Sequence, residues 1–328
     1  MRSTLVALLL PFLALVSCRS AAAPAPGPRE ATSFLGDPLV RPALDPVREI
    51  AFEARLQAAR TRLSADPEDP LRWIWVGRRL AYLGRYGQAL EHYTRALARF
   101  PDEVRLLRHR GHRYLTIRQP GKARADLRLA AEKMVGTPDR VEPDGLPNAA
   151  GIPLSTTQTN VLYHLGLAHR ILGEDELARA AFQRSLELSG NDDMRVASAY
   201  WVVLSLWRLG EDAAAERVLA DFDRGLELLE NHDYHLLLRA FARRDPRAIP
   251  WIADPRREAV PPGEPRPGSV AWATRGYGRA ALLRHLGREE EARAVLERVV
   301  AGENWPAFGH LAAEADLAAL ARPSGNGR

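Results

Sequence analysis

The sequence predicts an all-α fold of stacked helical hairpins, and three observations predict it. Apolar residues recur at helical spacing over most of the chain. Large and small residues return to the same places 34 positions later, as from Ala89 to Ala123. Glycine or proline punctuates the runs where a helix would have to stop. The stretch WIWVGRRLAYLGRYGQALEHYTRALARFPD, residues 73–102, shows the unit: two helix-length runs hinged at Gly84 and closed by Pro101. Over 328 residues, 46% hydrophobic and 27% charged side chains are the balance of a folded chain with a sizeable core.

Taken in order, the chain opens with Met1, Arg2 and an apolar run, LVALLLPFLALV at 5–16, too short for a stable membrane span and the right length for a secretory signal. It runs into LVSC, Leu15 to Cys18, which resembles the lipobox of bacterial lipoproteins. The resemblance implies export, cleavage of a signal peptide 1–17, lipidation of Cys18 and a cell-envelope location facing the periplasm. Residue 19 is Arg rather than Asp, which by the enterobacterial sorting rule favours the outer over the inner membrane. Cys18 is the sole cysteine, so an intrachain disulfide, a cysteine-ligated zinc and a Cys/His nucleophile are excluded. Residues 18–45 are rich in Ala and Pro and read as a flexible tether. An amphipathic run after Pro46 reads as a capping helix within 46–69.

With Ala89 counted as position 20 of a unit, Trp73, Val76, Leu80 and Tyr93 stand at positions 4, 7, 11 and 24, and Gly77 and Ala96 at 8 and 27. Leu107, Gly111, Tyr114, Leu127 and Ala130 take the same places one unit later. Large residues at 4, 7, 11 and 24 with small ones at 8, 20 and 27 resemble the tetratricopeptide repeat. The resemblance implies a right-handed α-solenoid, with units at 70–103, 104–137, 159–192 and 196–229, the last one weaker because Val203 stands where glycine or alanine is usual. Residues 236–322 read as degenerate and final repeat-like helices, ending in a capping helix at 304–322, with a disordered tail at 323–328. Loops at 136–159 and 245–269 interrupt the period and are candidates for a packed spacer or a binding element.

Common hydrolase, protease and nucleotide signatures are missing from the sequence, and GYGRAA from Gly276 falls inside a predicted helix with no preceding strand. The pairs His109/His112 and His232/His235 each offer two nitrogens on one helical face but no evident third ligand. Glu142 and Asp144 lack a neighbouring nucleophile or base. An enzyme, a metal and a cofactor are therefore not expected. The net charge of +5 is carried almost wholly by arginine, Lys122 and Lys133 being the only lysines, and arginine pairs carboxylates and phosphates bidentately. Because those cations are scattered among 41 acids, nucleic acid is not an expected partner.

In the resembled family the first helix of each hairpin lines a concave wall, where positions 2, 5, 9 and 12 share one helical face. Those places hold Arg78; then Arg105, Arg108 and His112; then Asn160, Tyr163 and Arg170; then Tyr200 and Trp207; and finally Tyr277 and Arg284, with His164 beside them. Such a wall suits an extended or acidic segment of a partner protein: arginines for carboxylates, Asn160 for a backbone, aromatics for rigid contact. The expectation is a non-catalytic interaction scaffold of the envelope. Two alternatives are a carbohydrate or peptidoglycan-associated lipoprotein stacking sugars on Trp207, Tyr200 and Tyr277, and an enzyme built on loop 136–159 with Glu142 and His164. Partner identity and oligomeric state are not written in the sequence.

Overall fold

A computed structural model of the chain describes residues 27–251 and 263–321. Among the described residues, a two-stranded antiparallel ribbon, β1 (Arg29–Thr32) and β2 (Pro38–Val40), precedes thirteen helices. A first helix, α1 (Pro46–Ala65), leads the stack. Hairpins follow as α2 (Pro70–Tyr82) with α3 (Tyr86–Arg99), α4 (Val104–Thr116) with α5 (Pro120–Lys133), α6 (Thr157–Leu172) with α7 (Asp175–Leu188), and α8 (Asp192–Arg208) with α9 (Asp212–Ala220). A single helix, α10 (His232–Ala242), separates them from α11 (Val270–His285) with α12 (Glu289–Val300), and α13 (Phe308–Leu320) ends the described chain. The architecture is a right-handed α-solenoid, and no described helix is long and apolar enough to cross a membrane.

Local chemistry sets the helix ends. Asp45 accepts from the backbone N–H groups of Val47 and Arg48 with Pro46 at the first position of α1, and Asp69 does the same for Leu71 ahead of α2. At α6, Thr156 and Thr159 cap each other reciprocally. The turn within each hairpin needs a left-handed residue, supplied by Gly84, Gly173, Gly210 and Gly287 at φ between 70° and 77°. Arg118 takes that place in the second hairpin at φ 62°, a conformation an L side chain adopts only under constraint.

Small residues set how closely the paired helices approach. A methyl group added at Gly77 would enter the Tyr93 ring, one at Gly111 would lie 2.7 Å from Leu127 Cγ, and one at Gly166 2.7 Å from Phe182. Val203 and Leu219, both buried, replace the glycine and its large partner in the fourth hairpin. The buried apolar residues form two clusters, one around Tyr93 in the first hairpins and a larger one running from Leu115 to Leu317.

Two segments differ from the sequence expectation. The tether expected through residue 45 is folded from residue 27: Arg41 pairs with Glu30 at 2.7 Å, and the backbone carbonyl of Val40 accepts from Trp305 Nε1 at 2.7 Å. Composition hid this, because Ala/Pro-rich sequence has no core of its own and here borrows one: Leu39 joins the cluster built by the first helices, and Trp305 is added to it from the far end of the chain. The last helix, read as an end cap, lies against α11 and α12 and reaches α6, inside the curve of the stack. Signal peptide 1–17, Cys18 and the tail 323–328 lie outside the described residues.

Candidate functional site

The residues expected to line an open wall are largely bonded to one another. At its first end, loop 136–159 folds in against α2 and α4. Arg78 donates to the Pro143 carbonyl at 2.6 Å, and Arg79 to that of Gly145 at 3.1 Å. Arg108, buried, lies 3.3 Å from Glu142, whose other partner is Asn160 at 3.1 Å. His164 is buried and bonded through Nδ1 to the Asn160 carbonyl at 2.6 Å. Its ring meets those of His112 and Phe308, 4.3 and 5.5 Å away. Burial and the nearby guanidinium charges hold His109 and His164 well below the ordinary histidine range, and burial does so for His112 too.

Toward the second end, α13 brings acids into the curve. Asp316 accepts from Arg170 at 2.9 and 3.1 Å and from Tyr277 at 3.2 Å, and Arg284 reaches it at 3.2 Å. Burial alone would raise the Asp316 carboxyl, but Arg170, Arg284 and Arg208 outweigh that and lower it. Glu314 is fully buried and takes Arg118 at 2.5 Å and His310 at 3.0 Å. Burial pushes its carboxyl up, yet the hydrogen bonds from His310 and Arg118 win and bring it down to about 2. The left-handed turn at Arg118 thus carries a guanidinium that reaches Glu314 and the Trp305 carbonyl, 2.8 Å away, and these buried bonds offset its backbone strain.

Several expected site residues therefore leave the list of free wall groups. Tyr200 and Tyr277 are each 1% exposed, Tyr200 packed among Trp201, Tyr234 and Phe241 and Tyr277 bonded to Arg170. Tyr163 is buried with its hydroxyl between Trp201 Nε1 at 2.7 Å and Tyr234 at 3.1 Å. A sugar cannot stack on rings so enclosed, which removes two of the three aromatics of the carbohydrate alternative. Arg108, Asn160, His164 and Arg170 are likewise buried, because side chains placed on the inner helices met a loop and a helix that periodicity had not located. Arg105 stays half-exposed but spends its guanidinium on Glu103, at 2.7 and 2.9 Å. Among the described residues, no group of three or more His, Cys, Asp or Glu side chains is placed to hold a metal.

What remains open is a cleft of about 300 Å³ between α8 and α11, lined by Trp207, Arg208, Arg284 and His285 above Arg170, Tyr277 and Asp316. Trp207 stacks on His285 with centroids 4.2 Å apart and planes at 8°. Arg170 Nε and Arg284 Nη2 are buried without a hydrogen-bond partner among the described residues. Two buried cationic donors facing one cleft are unusual, since such groups are nearly always satisfied.

Residues 70–103 and 159–192 match models of the tetratricopeptide repeat, so the first and third hairpins, α2 with α3 and α6 with α7, are tetratricopeptide repeats. Solved structures to which the chain is similar include a tetratricopeptide repeat protein from Parabacteroides merdae, 16% identical, with 81% of this chain and 94% of that one covered and a TM-score of 0.45. BtubC from P. vanneervenii is 13% identical over 86% and 94%, with a TM-score of 0.44. YrrB, described as a TPR protein with an unusual peptide-binding site, is 16% identical over 75% and 92%, with a TM-score of 0.41. No curated protein sequence matches the chain.

Proposed function

We propose that the protein is a non-catalytic interaction scaffold of the bacterial cell envelope, tethered by a lipidated Cys18, which holds an extended or acidic segment of a partner protein. The tetratricopeptide hairpins support the scaffold reading, and the lipobox-like LVSC supports the tether. The observation that carries the binding site is the pair of unpartnered donors, Arg170 Nε and Arg284 Nη2, in the cleft beside Trp207. Three arginines converge there on the single carboxylate of Asp316, and a partner carboxylate would complete their hydrogen bonding.

The groove proposed from the sequence is thereby shortened to its Trp207 end. Affinity rests on several contacts acting together, since one exposed ion pair contributes only about 0–1 kcal/mol. The test is a crosslinking pull-down of the lipidated protein from its native envelope, repeated with Arg284→Glu and Trp207→Ala. A specific partner should lose at least about tenfold in recovery with each variant and weaken as salt rises. Equal recovery by wild type and both variants would remove the cleft from the function. Labelling the cells with a palmitate analogue checks the tether separately, and a Cys18→Ala chain should carry no label.

A further inference from the structure

We propose that the cleft between α1 and α2, at the opposite end of the stack, is a second binding site, one for an extended acidic protein segment. It encloses about 360 Å³ and is lined by Arg55, Ala59 and Arg62 from α1 and Arg72, Trp75 and Arg79 from α2. The site does not involve the Trp207 cleft and does not rest on it.

The cations are arranged, not scattered. Arg48, Arg55 and Arg62 lie seven residues apart, so they drift by only about 20° per step around α1 and form one stripe. Arg72 and Arg79 repeat the same spacing on α2 and complete the opposite side of the cleft. Among the described residues, Arg55 and Arg62 have no carboxylate partner, and Arg79 is held only by the Gly145 carbonyl and the rings of Trp75 and Tyr82. Arg72 lies 3.3 Å from Asp69 and 3.7 Å from Asp66, yet its buried Nε makes no hydrogen bond. Burial lowers the proton affinity of Arg79; Tyr82 opposes this, and Arg55, Arg78 and Arg62 add to the lowering. Cations crowded this closely repel one another, and a bound anion relieves that repulsion.

Shape selects the kind of anion. The half-buried ring of Trp75 lines the cleft with the guanidinium groups of Arg78 and Arg79 4.7 and 4.9 Å from its centroid, and Arg55 and Arg62 of α1 face Arg72 and Arg79 of α2 across it. A bilayer headgroup plane would meet the rims of such a cleft and miss its floor, whereas a single extended chain enters it. Seven residues of helix advance by about 10.5 Å, which is about three residues of extended chain. In the polyproline II conformation, which returns every third side chain to the same face, carboxylates three positions apart on such a segment reach successive arginines of the α1 stripe, while the intervening chain lies along Trp75.

The probe is a fluorescein-labelled synthetic peptide of about twelve residues with glutamate at every third position in a Gly/Ser background, a length that spans the stripe. Anisotropy with the intact chain should show binding that weakens steeply with salt and disappears when the glutamates become glutamine. Arg55→Glu with Arg62→Glu should cut affinity by at least about tenfold while the melting curve stays that of wild type, because both side chains are exposed and glutamate is a good helix former. Equal binding by wild type and the double variant, or equal binding of the glutamine peptide, would overturn the site. So would affinity that falls with Arg284→Glu but not with the α1 pair, which would move the peptide to the other cleft. Vesicles containing phosphatidylglycerol, if they bound through Arg55 and Arg62 when the peptide did not, would replace the acidic segment with a lipid surface.

Discussion

The seams between paired helices and the inner wall are held by contacts of different kinds. At the seams the repeated contacts are apolar and short in sequence, with Gly77 against Tyr93, Gly111 against Leu127 and Gly166 against Phe182. On the inner wall they are charged, single and distant: Arg170 meets Asp316 across 146 residues, and Arg118 meets Glu314 across 196. A repeated local contact leaves a period in the sequence. A single distant clasp leaves none, because it joins two places that only the finished fold brings together. The wall is also where a solenoid ordinarily stays open, so the clasp and loop 136–159 convert most of the expected groove into core and leave open its Trp207 end.

Acid should have the largest effect, and it acts on both regions: His92 lies in the first seam, bonded to the Trp73 carbonyl, whereas His112 and His164 meet on the wall. Burial holds His92 near pKa 4, against an ordinary 6.5, and holds His109, His112 and His164 well below 6.5. Each is neutral in the folded chain, so stability is full above pH 6.5 and is lost as the pH falls toward the folded values, where the unfolded chain binds the extra protons. His92 alone accounts for a loss on the order of 3 kcal/mol by pH 4. Below pH 4.5 Glu314 adds a second loss, since its folded value of about 2 makes its contribution present above 4.5 and absent near 2. Urea midpoints measured from pH 8 to pH 4 should fall continuously below 6.5, and His92→Gln should flatten part of the slope.

Breaking the clasp comes next. Glu314→Ala leaves the Arg118 guanidinium buried without its carboxylate and should cost about 3–5 kcal/mol in urea unfolding. Pairing it with Arg118→Gly removes the stranded charge and restores glycine to the left-handed turn, so the double variant should be more stable than Glu314→Ala alone. If the double variant is no better, the strain at Arg118 is not linked to the clasp. At a seam, Gly111→Ala forces a methyl group to 2.7 Å from Leu127 Cγ and should cost about 1–2 kcal/mol even after the gain in helix propensity.

The same division explains what could be read beforehand. Positions of Gly77, Gly111, Tyr93 and Leu127 located both hairpins, because the pairing they make is the period itself. Folding of residues 27–45 was hidden, since two of its partners, Trp305 and Glu314, lie more than 260 residues away in sequence and a third, Gly87, lies 57 residues from Glu30. A signal for the clasp did exist. Glu314 and Asp316 interrupt an otherwise apolar run in HLAAEADLAAL, and acids on a helix destined for burial require cations opposite them. Arg118 in the place of a turn glycine was the second half of that signal. The Trp207 cleft was legible in part, through Trp207 and Arg284; the α1–α2 cleft was not, because the first helix was read only as a cap.

The smallest expected effect is the sharpest test within the wall. Arg105 and Arg108 occupy neighbouring turns of one helical face and look equivalent in the sequence. Arg105 is half-exposed and bonded to Glu103, two residues away, which also caps the helix by accepting from the Arg105 backbone N–H. Arg105→Ala removes a solvent-screened pair and leaves the cap intact, so it should cost about 0.5 kcal/mol or less. Arg108→Ala strands Glu142, a buried carboxylate whose Oε1 already lacks a hydrogen bond, and should cost several times more. Equal costs for the two in urea unfolding would mean that loop 136–159 does not seal this end of the wall, and Arg105, Arg108 and Asn160 would again be free to meet a partner.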